Sequence, residues 1–97
     1  MSQVTVVARI KARPEAVEKV SEALLKLVEP TLHKDDGCIN YDLYQDNDNP
    51  SLFFFLENWE SEVHLKRHLD SGHIKAYREA TEGLIEQRDL YRLTRIS

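Results

Sequence analysis

Histidine and carboxylate spacing carries the first chemical signal in this chain. His64 and His68 stand four residues apart, and Glu60 precedes them by another four. On a helix that spacing puts all three on one face, where their side chains can ligate a metal ion. The same pattern arises by chance in a polar helix, and spacing alone supplies no further ligand. His68 by itself is an acid–base candidate, because an ordinary imidazole titrates near about 6.5 and moves a proton at neutral pH. A solvated surface histidine is the plain alternative. His33, next to Lys34, Asp35 and Asp36, reads as solvated or as facing the end of a helix dipole.

A second group follows the apolar run Leu52-Phe53-Phe54-Phe55-Leu56. Glu57, Asn58 and Trp59 put a carboxylate, an amide and the only tryptophan where that run ends. Polar groups converging at the edge of an apolar space describe a small-molecule pocket. Trp59 fits a core position and a pocket wall equally well, and Tyr41, Tyr77 and Tyr91 read first as core residues with hydrogen-bonded hydroxyls. Three glycines, Gly37, Gly72 and Gly83, cannot make a glycine-rich phosphate loop, and no G-x-S-x-G is present. Cys38 is the single cysteine, so an internal disulfide and a cysteine metal cluster are excluded. It reads as a small buried hydrophobe rather than a reactive thiol.

The elements that must position these groups are legible from periodicity. From Gln3 to Lys11, Val4, Val6, Ala8 and Ile10 alternate with Gln3, Thr5, Val7, Arg9 and Lys11, a strand. Pro14 suits the first turn of a helix, and Val17, Val20, Leu24, Leu27 and Val28 form its buried stripe. Pro30 is expected to bend or end it within a turn. Cys38 to Gln45 alternates again, with Ile39, Tyr41 and Leu43 opposing Cys38, Asn40, Asp42 and Tyr44. The run Asp46 to Ser51 is a turn by composition, so this strand and the phenylalanine strand form an antiparallel hairpin. Ser61 is an N-cap for a helix carrying Val63, Leu65 and Leu69. Ser71-Gly72 interrupts it, Ile74 to Ile85 is helical again, and Gln87 to Ile96 is the closing strand.

Strand, helix, strand, strand, helix, strand is the ferredoxin-like βαββαβ order, an α+β fold with a four-stranded antiparallel sheet and helices on one face. The phenylalanine strand lacks polar alternation, as a strand buried on both faces does. A second copy of the chain on the open face, a homodimer, meets that need.

Length gives one domain, 1–97, burying about 60–65% of its unfolded surface. Apolar and charged fractions of 41% and 31% belong to a soluble globular chain. A net charge of -4 with scattered basic residues leaves no footprint for nucleic acid. Met1-Ser2-Gln3-Val4-Thr5 has no leader pattern, and no stretch reaches membrane-spanning length. With its lone cysteine the chain is expected in the reducing cytoplasm.

Three blocks of residues resemble the antibiotic biosynthesis monooxygenase domain, most nearly its small bacterial quinol monooxygenases. They are Gly37-Cys38-x-x-Tyr41-x-Leu43, Phe55-x-Glu57-x-Trp59-Glu60-Ser61, and His68-Leu69-x-Ser71-x-His73-Ile74-Lys75-Ala76-Tyr77. The resemblance implies a dimeric α+β barrel with one pocket per subunit between sheet and helices. It implies oxidation of a small phenolic or quinol ring by O₂ with no flavin, haem or metal. His68 matches the helix histidine, the candidate base, and Trp59 matches the strand tryptophan of the site. Tyr41, Glu57, Asn58, His73 and Tyr77 are the implied substrate contacts, although alternation sends the Asn58 side chain away from Glu57 and Trp59. Haem-cleaving members carry an asparagine on the first strand, and Gln3, Thr5, Val7 and Arg9 stand there instead. Relatives on the same scaffold isomerise small phosphorylated sugars, for which Arg9, Lys66 or Arg67 would face the phosphate. A non-catalytic ligand-binding module is the other alternative.

Overall fold

A computed structural model describes residues 3–97; Met1 and Ser2, which head the stretch read above for a leader, lie outside the described residues. The order is β1 (Val4–Ala12), α1 (Val17–Lys34), β2 (Cys38–Gln45), β3 (Leu52–Trp59), α2 (Glu62–Leu69), α3 (Gly72–Ala80) and β4 (Ile85–Leu93). The strands pair antiparallel in the spatial order β2-β3-β1-β4. This is the ferredoxin-like α+β arrangement, with its second helical segment divided in two.

The inner face of the sheet is built by strict alternation. Val4, Val6, Ile10 and Ala12 of β1 and Phe53, Phe55, Glu57 and Trp59 of β3 are buried toward the helices. Against them α1 packs Val20, Leu24, Leu27 and Thr31. Pro14 opens a separate 3₁₀ turn, Pro14–Ala16, and α1 starts only at Val17. The helix ends at Lys34, about one turn past Pro30, where it is expected to close. Burial of its stripe on both sides of the proline carries the chain past the one hydrogen bond that proline removes.

The face assignment of β2 needs a correction. Cys38 pairs with Trp59 and Asn40 with Asn58, so Ile39 is an extra residue. Such a bulge reverses alternation on one side of itself. Cys38 therefore joins Tyr41 and Leu43 against the core, while Ile39, expected beside them, is exposed. At the other end of the chain α3 stops at Ala80, and β4 runs from Ile85 to Leu93 rather than from Gln87 to Ile96. Pairing with β1 sets both limits, since Ala12 meets Ile85 and Thr5 meets Leu93.

The other face of the sheet is open in this chain. Tyr44, Leu56, Tyr91 and Leu93 lie there with 40–52% of their surface exposed. β3 is thus buried on one face by its own chain, not on both. Among the described residues no helix is long and apolar enough to cross a membrane.

Candidate functional site

A cavity of about 380 Å³ lies between the helices and the inner face of the sheet, a size that suits a small organic molecule. Ala8 is part of its floor, flanked by Phe55 on β3 and Leu90 on β4. The other inward residues near the middle of β1 are Val6 and Ile10. A methyl group at the central position leaves room that a branched side chain would fill.

His68 reaches this cavity from the last turn of α2. Its ring is almost fully buried, 4.6 Å from the Trp59 ring and 5.3 Å, edge on, from Tyr41. Nδ1 sits 2.6 Å from Oδ2 of Asp35, and the same oxygen is 2.8 Å from Nε2 of His73. A carboxylate only accepts, so each imidazole donates to it. His68 then carries its proton on Nδ1, and Nε2 is the nitrogen left with a lone pair. Burial lowers the pKa of His68, and the Asp35 hydrogen bond and charge oppose that shift without cancelling it. The imidazole is therefore neutral at neutral pH, the form that takes a proton.

The break between α2 and α3 makes this cluster possible. His68 and His73 are five residues apart, which on one continuous helix is about 140° around the axis. Capping by Ser71, whose hydroxyl accepts from the Ile74 N–H, starts α3 in a new direction, and both rings meet Asp35. Asp35 itself is the first residue after α1, before the turn at Gly37. Gly37 has φ +79°, and a Cβ there would stand 2.3 Å from Cγ of His64. Only glycine fits that turn.

Glu57 is the second titratable group in the cavity wall, and it is 3% exposed. Loss of hydration pushes its pKa up to about 7, against a hydrogen bond from the Trp59 ring that pulls the other way. That bond, Nε1–H to Oε1 at 2.9 Å, fixes the carboxyl group. Tyr41 stacks on Phe55 at 4.3 Å, and burial raises its pKa further above the ordinary phenol value. Burial, then the charges of Glu57, Asp35 and Asp42, push the Cys38 thiol up to about 11, so it is not a nucleophile.

Of the residues expected at the site, His68, Glu57, Tyr41 and Tyr77 line the cavity. Trp59 lies behind His68, fully buried, and acts on Glu57 rather than on the open space. His73 stands behind Asp35. Asn58 is on the opposite face, where Thr5 donates to it at 2.6 Å and it donates to Asn40 at 2.8 Å. Alternation along β3 excludes it from the cavity. The Glu60, His64 and His68 set is not assembled, because His64 bonds the Ser61 hydroxyl at 2.8 Å while His68 turns to Asp35. Arg9 pairs with Asp89 at 3.3 Å, and neither Lys66 nor Arg67 lines the cavity.

Among the described residues the one grouping whose ligand atoms lie within 4.8 Å of one another is Asp35, His68 and His73. Ligands about 2.0–2.1 Å from a tetrahedral zinc ion stand about 3.3 Å apart. The contacts of 2.6 and 2.8 Å to a single oxygen have hydrogen-bond lengths instead. Asp35 was missed by spacing because it lies 33 residues from its partner. Ala8, an alanine on a valine and isoleucine face, was the visible sign of the cavity.

Comparison with known proteins fits this geometry. The chain is 36% identical to "Probable quinol monooxygenase YgiN" of Escherichia coli over 89 residues, covering 81% of this chain and 85% of that one. The crystal structure of PA3566 from Pseudomonas aeruginosa superposes with a TM-score of 0.93 at 30% identity, over 100% of this chain and 97% of that one. Rv0793 from Mycobacterium tuberculosis gives 0.90 at 30% identity, over 99% and 97%. Residues 3–80 match the family described as antibiotic biosynthesis monooxygenase, and the chain belongs to that family.

Proposed function

We propose that this protein is a monooxygenase that oxidises a small phenolic or quinol ring with O₂ in the cavity, His68 being the base. The observation that carries the reading is a buried neutral imidazole, in the cavity wall, with its far nitrogen held by Asp35. A phenolate forms when His68 takes the ring hydroxyl proton. An electron then passes from phenolate to O₂, leaving a ring radical and superoxide, which join through a new C–O bond at a hydrogen-bearing ring carbon, ortho or para to the oxygen in a phenol and ortho in a quinol. The peroxide anion takes a proton from the imidazolium. Loss of the C–H proton at that carbon, with cleavage of O–O, gives a quinone and one water. Phenol and O₂ are thus fully accounted for, four electrons going to oxygen. Glu57, near half protonation at pH 7, is placed to exchange the proton of the last step. The apolar walls keep water from competing.

The open face of the sheet supports a homodimer. Leu56, Val7 and Tyr91 follow one another across the sheet, beside Tyr44 and Leu93. A contiguous apolar surface of that kind marks an interaction site.

The test is ¹⁸O₂ incorporation into a panel of phenols and quinols, with no-protein and His68→Ala controls because quinols oxidise spontaneously. Labelled product well above both controls is expected. Equal label with wild type, His68→Ala and buffer sinks the reading.

A further inference from the structure

We propose that the ligand of this cavity is an aromatic carboxylic acid, whose carboxylate is held by Arg88 and Arg78 beside the Tyr77 hydroxyl. The proposal rests on the reading of the cavity as the ligand site and adds the class of ligand. Arg78, on α3, and Arg88, on β4, both line the cavity. Ion pairs among the described residues occupy Arg9, Lys11 and Arg92, but neither Arg78 nor Arg88. Asp89, the acidic residue adjacent to Arg88, also belongs to the cavity lining, but its carboxylate is taken by Arg9 at 3.3 Å on the other face of the sheet.

Arg88 is held in place before any ligand arrives. Its Nη2 donates to Oγ1 of Thr81 at 3.2 Å, and Thr81 is itself buried and bonded to the Tyr77 carbonyl at 2.8 Å. The guanidinium carbon lies 5.3 Å from the centre of the Tyr77 ring, a cation–π contact. A guanidinium has five N–H donors in a planar fork that matches the two oxygens of a carboxylate, and Thr81 uses one of them.

The Tyr77 hydroxyl supplies an independent sign. It is buried, belongs to a residue of the cavity wall, and has no hydrogen-bond partner among the described residues. Buried hydroxyls are ordinarily paired. A carboxylate oxygen near Arg88 gives this one an acceptor. The frame between the two ends must be flat and apolar, since Ala8, Ile10, Phe55 and Leu90 lie there. Arg88 pairs with Ile10 and Glu57 with Val6 of the intervening strand, so their backbone positions are about 10 Å apart across the sheet and about 13 Å along it, about 16 Å on the diagonal. The long Arg88 side chain covers part of that diagonal, and a fused aromatic ring with its acid group remote from the reacting oxygen lies along the rest.

The experiment measures binding without turnover, so its outcome is separate from whether the cavity oxidises what it binds. Calorimetric Kd values are taken for 2-naphthoate, 2-naphthamide and 2-naphthyl phosphate with the wild type, Arg88→Gln, Arg88→Lys and Tyr77→Phe. The wild type is expected to prefer naphthoate over the amide by about tenfold or more, a preference that weakens with salt. Arg88→Gln should reduce the preference to about threefold or less, and Arg88→Lys should retain part of it. Tyr77→Phe, which removes only the orphan hydroxyl, should lower it while leaving Tm unchanged or higher. Equal affinity for acid and amide in the wild type overturns the proposal, as does a preference untouched by Arg88→Gln. Tighter binding of the phosphate ester than of naphthoate by about tenfold overturns the carboxylic acid as the ligand class.

Discussion

Replacing Asp35 with asparagine separates the role of the carboxylate from mere bulk. Oδ2 of Asp35 accepts from His68 at 2.6 Å and from His73 at 2.8 Å. Asparagine offers one uncharged carbonyl oxygen and an amide that only donates. If the carbonyl faces His68, the imidazolium formed during proton transfer loses its counter-charge. Hydrogen bonds to charged groups are worth about 1.5–3 kcal/mol, which converts to about 10- to 150-fold in rate. If the amide faces His68, the ring proton is driven to Nε2 and the base is lost, at about 10²–10⁴-fold. Asp35→Asn is therefore expected to lower kcat by at least about tenfold. The assay is initial O₂ uptake with a quinol from pH 5 to 9, with circular dichroism to check folding. Asp35 raises the pKa of His68, so its removal moves the acid limb of the kcat/KM profile to lower pH. A kcat within about threefold of wild type with an unmoved acid limb, while His68→Ala is inactive, refutes the coupling of Asp35 to the base.

Three further outcomes follow from the same structure. Glu57 holds its proton more tightly when folded, at about 7 against an ordinary 4.5, so its contribution to stability is complete below about 4.5 and lost as pH rises through about 7, about 3 kcal/mol in all. Glu57→Gln keeps the acceptor for Trp59 and should flatten the fall in urea stability between pH 5 and 8; parallel wild-type and variant profiles contradict this. His68 has the opposite sign, its lowered pKa removing stability as pH falls below its unfolded value near about 6.5. Gly37→Ala forces a left-handed residue against the His64 ring and should cost about 2 kcal/mol, about 10 °C in Tm; an unchanged Tm shows that the turn is not under that constraint. Leu56→Asp on the open face should convert a dimer to a monomer by light scattering, and a monomeric wild type removes the dimer.

The fold was legible because its signals are local. Period-two runs, a turn rich in Asp and Asn, and serines that cap helices each act within a few residues, and together they produce the strand and helix order. Ile39 escaped because a bulge is a property of a pair of strands, and only the partner's Trp59 and Asn58 show which residue is extra. In the site, Glu57 was found from its place at the end of an apolar strand. Its neighbour Trp59 was found for the same reason but left between core and pocket wall, because alternation tells which face a residue takes and not how deep it sits. His68 was found as an acid–base candidate but without a partner, since its helical spacing to Glu60 and His64 arises by chance in a polar helix. The true partner, Asp35, comes from the far end of another helix and meets His68 only through the α1–β2 turn.

That indirect placement has a chemical consequence. One cause, loss of hydration, moves Glu57 up to about 7 and His68 below its ordinary value, so each group favours its uncharged form. A cavity polar enough to stabilise an imidazolium directly would undo the shift in Glu57. Asp35 avoids the conflict because it does not line the cavity and acts on the far nitrogen of His68. In the proposed reaction the charge that appears on the imidazole is thus met from behind, through Nδ1, by a carboxylate outside the cavity wall. His73 shares the same carboxylate oxygen and is less buried than His68, so the counter-charge is itself anchored from the side nearer solvent. The proposed reaction thus divides the work among one histidine in the cavity wall, one carboxylate behind it and a second histidine nearer solvent.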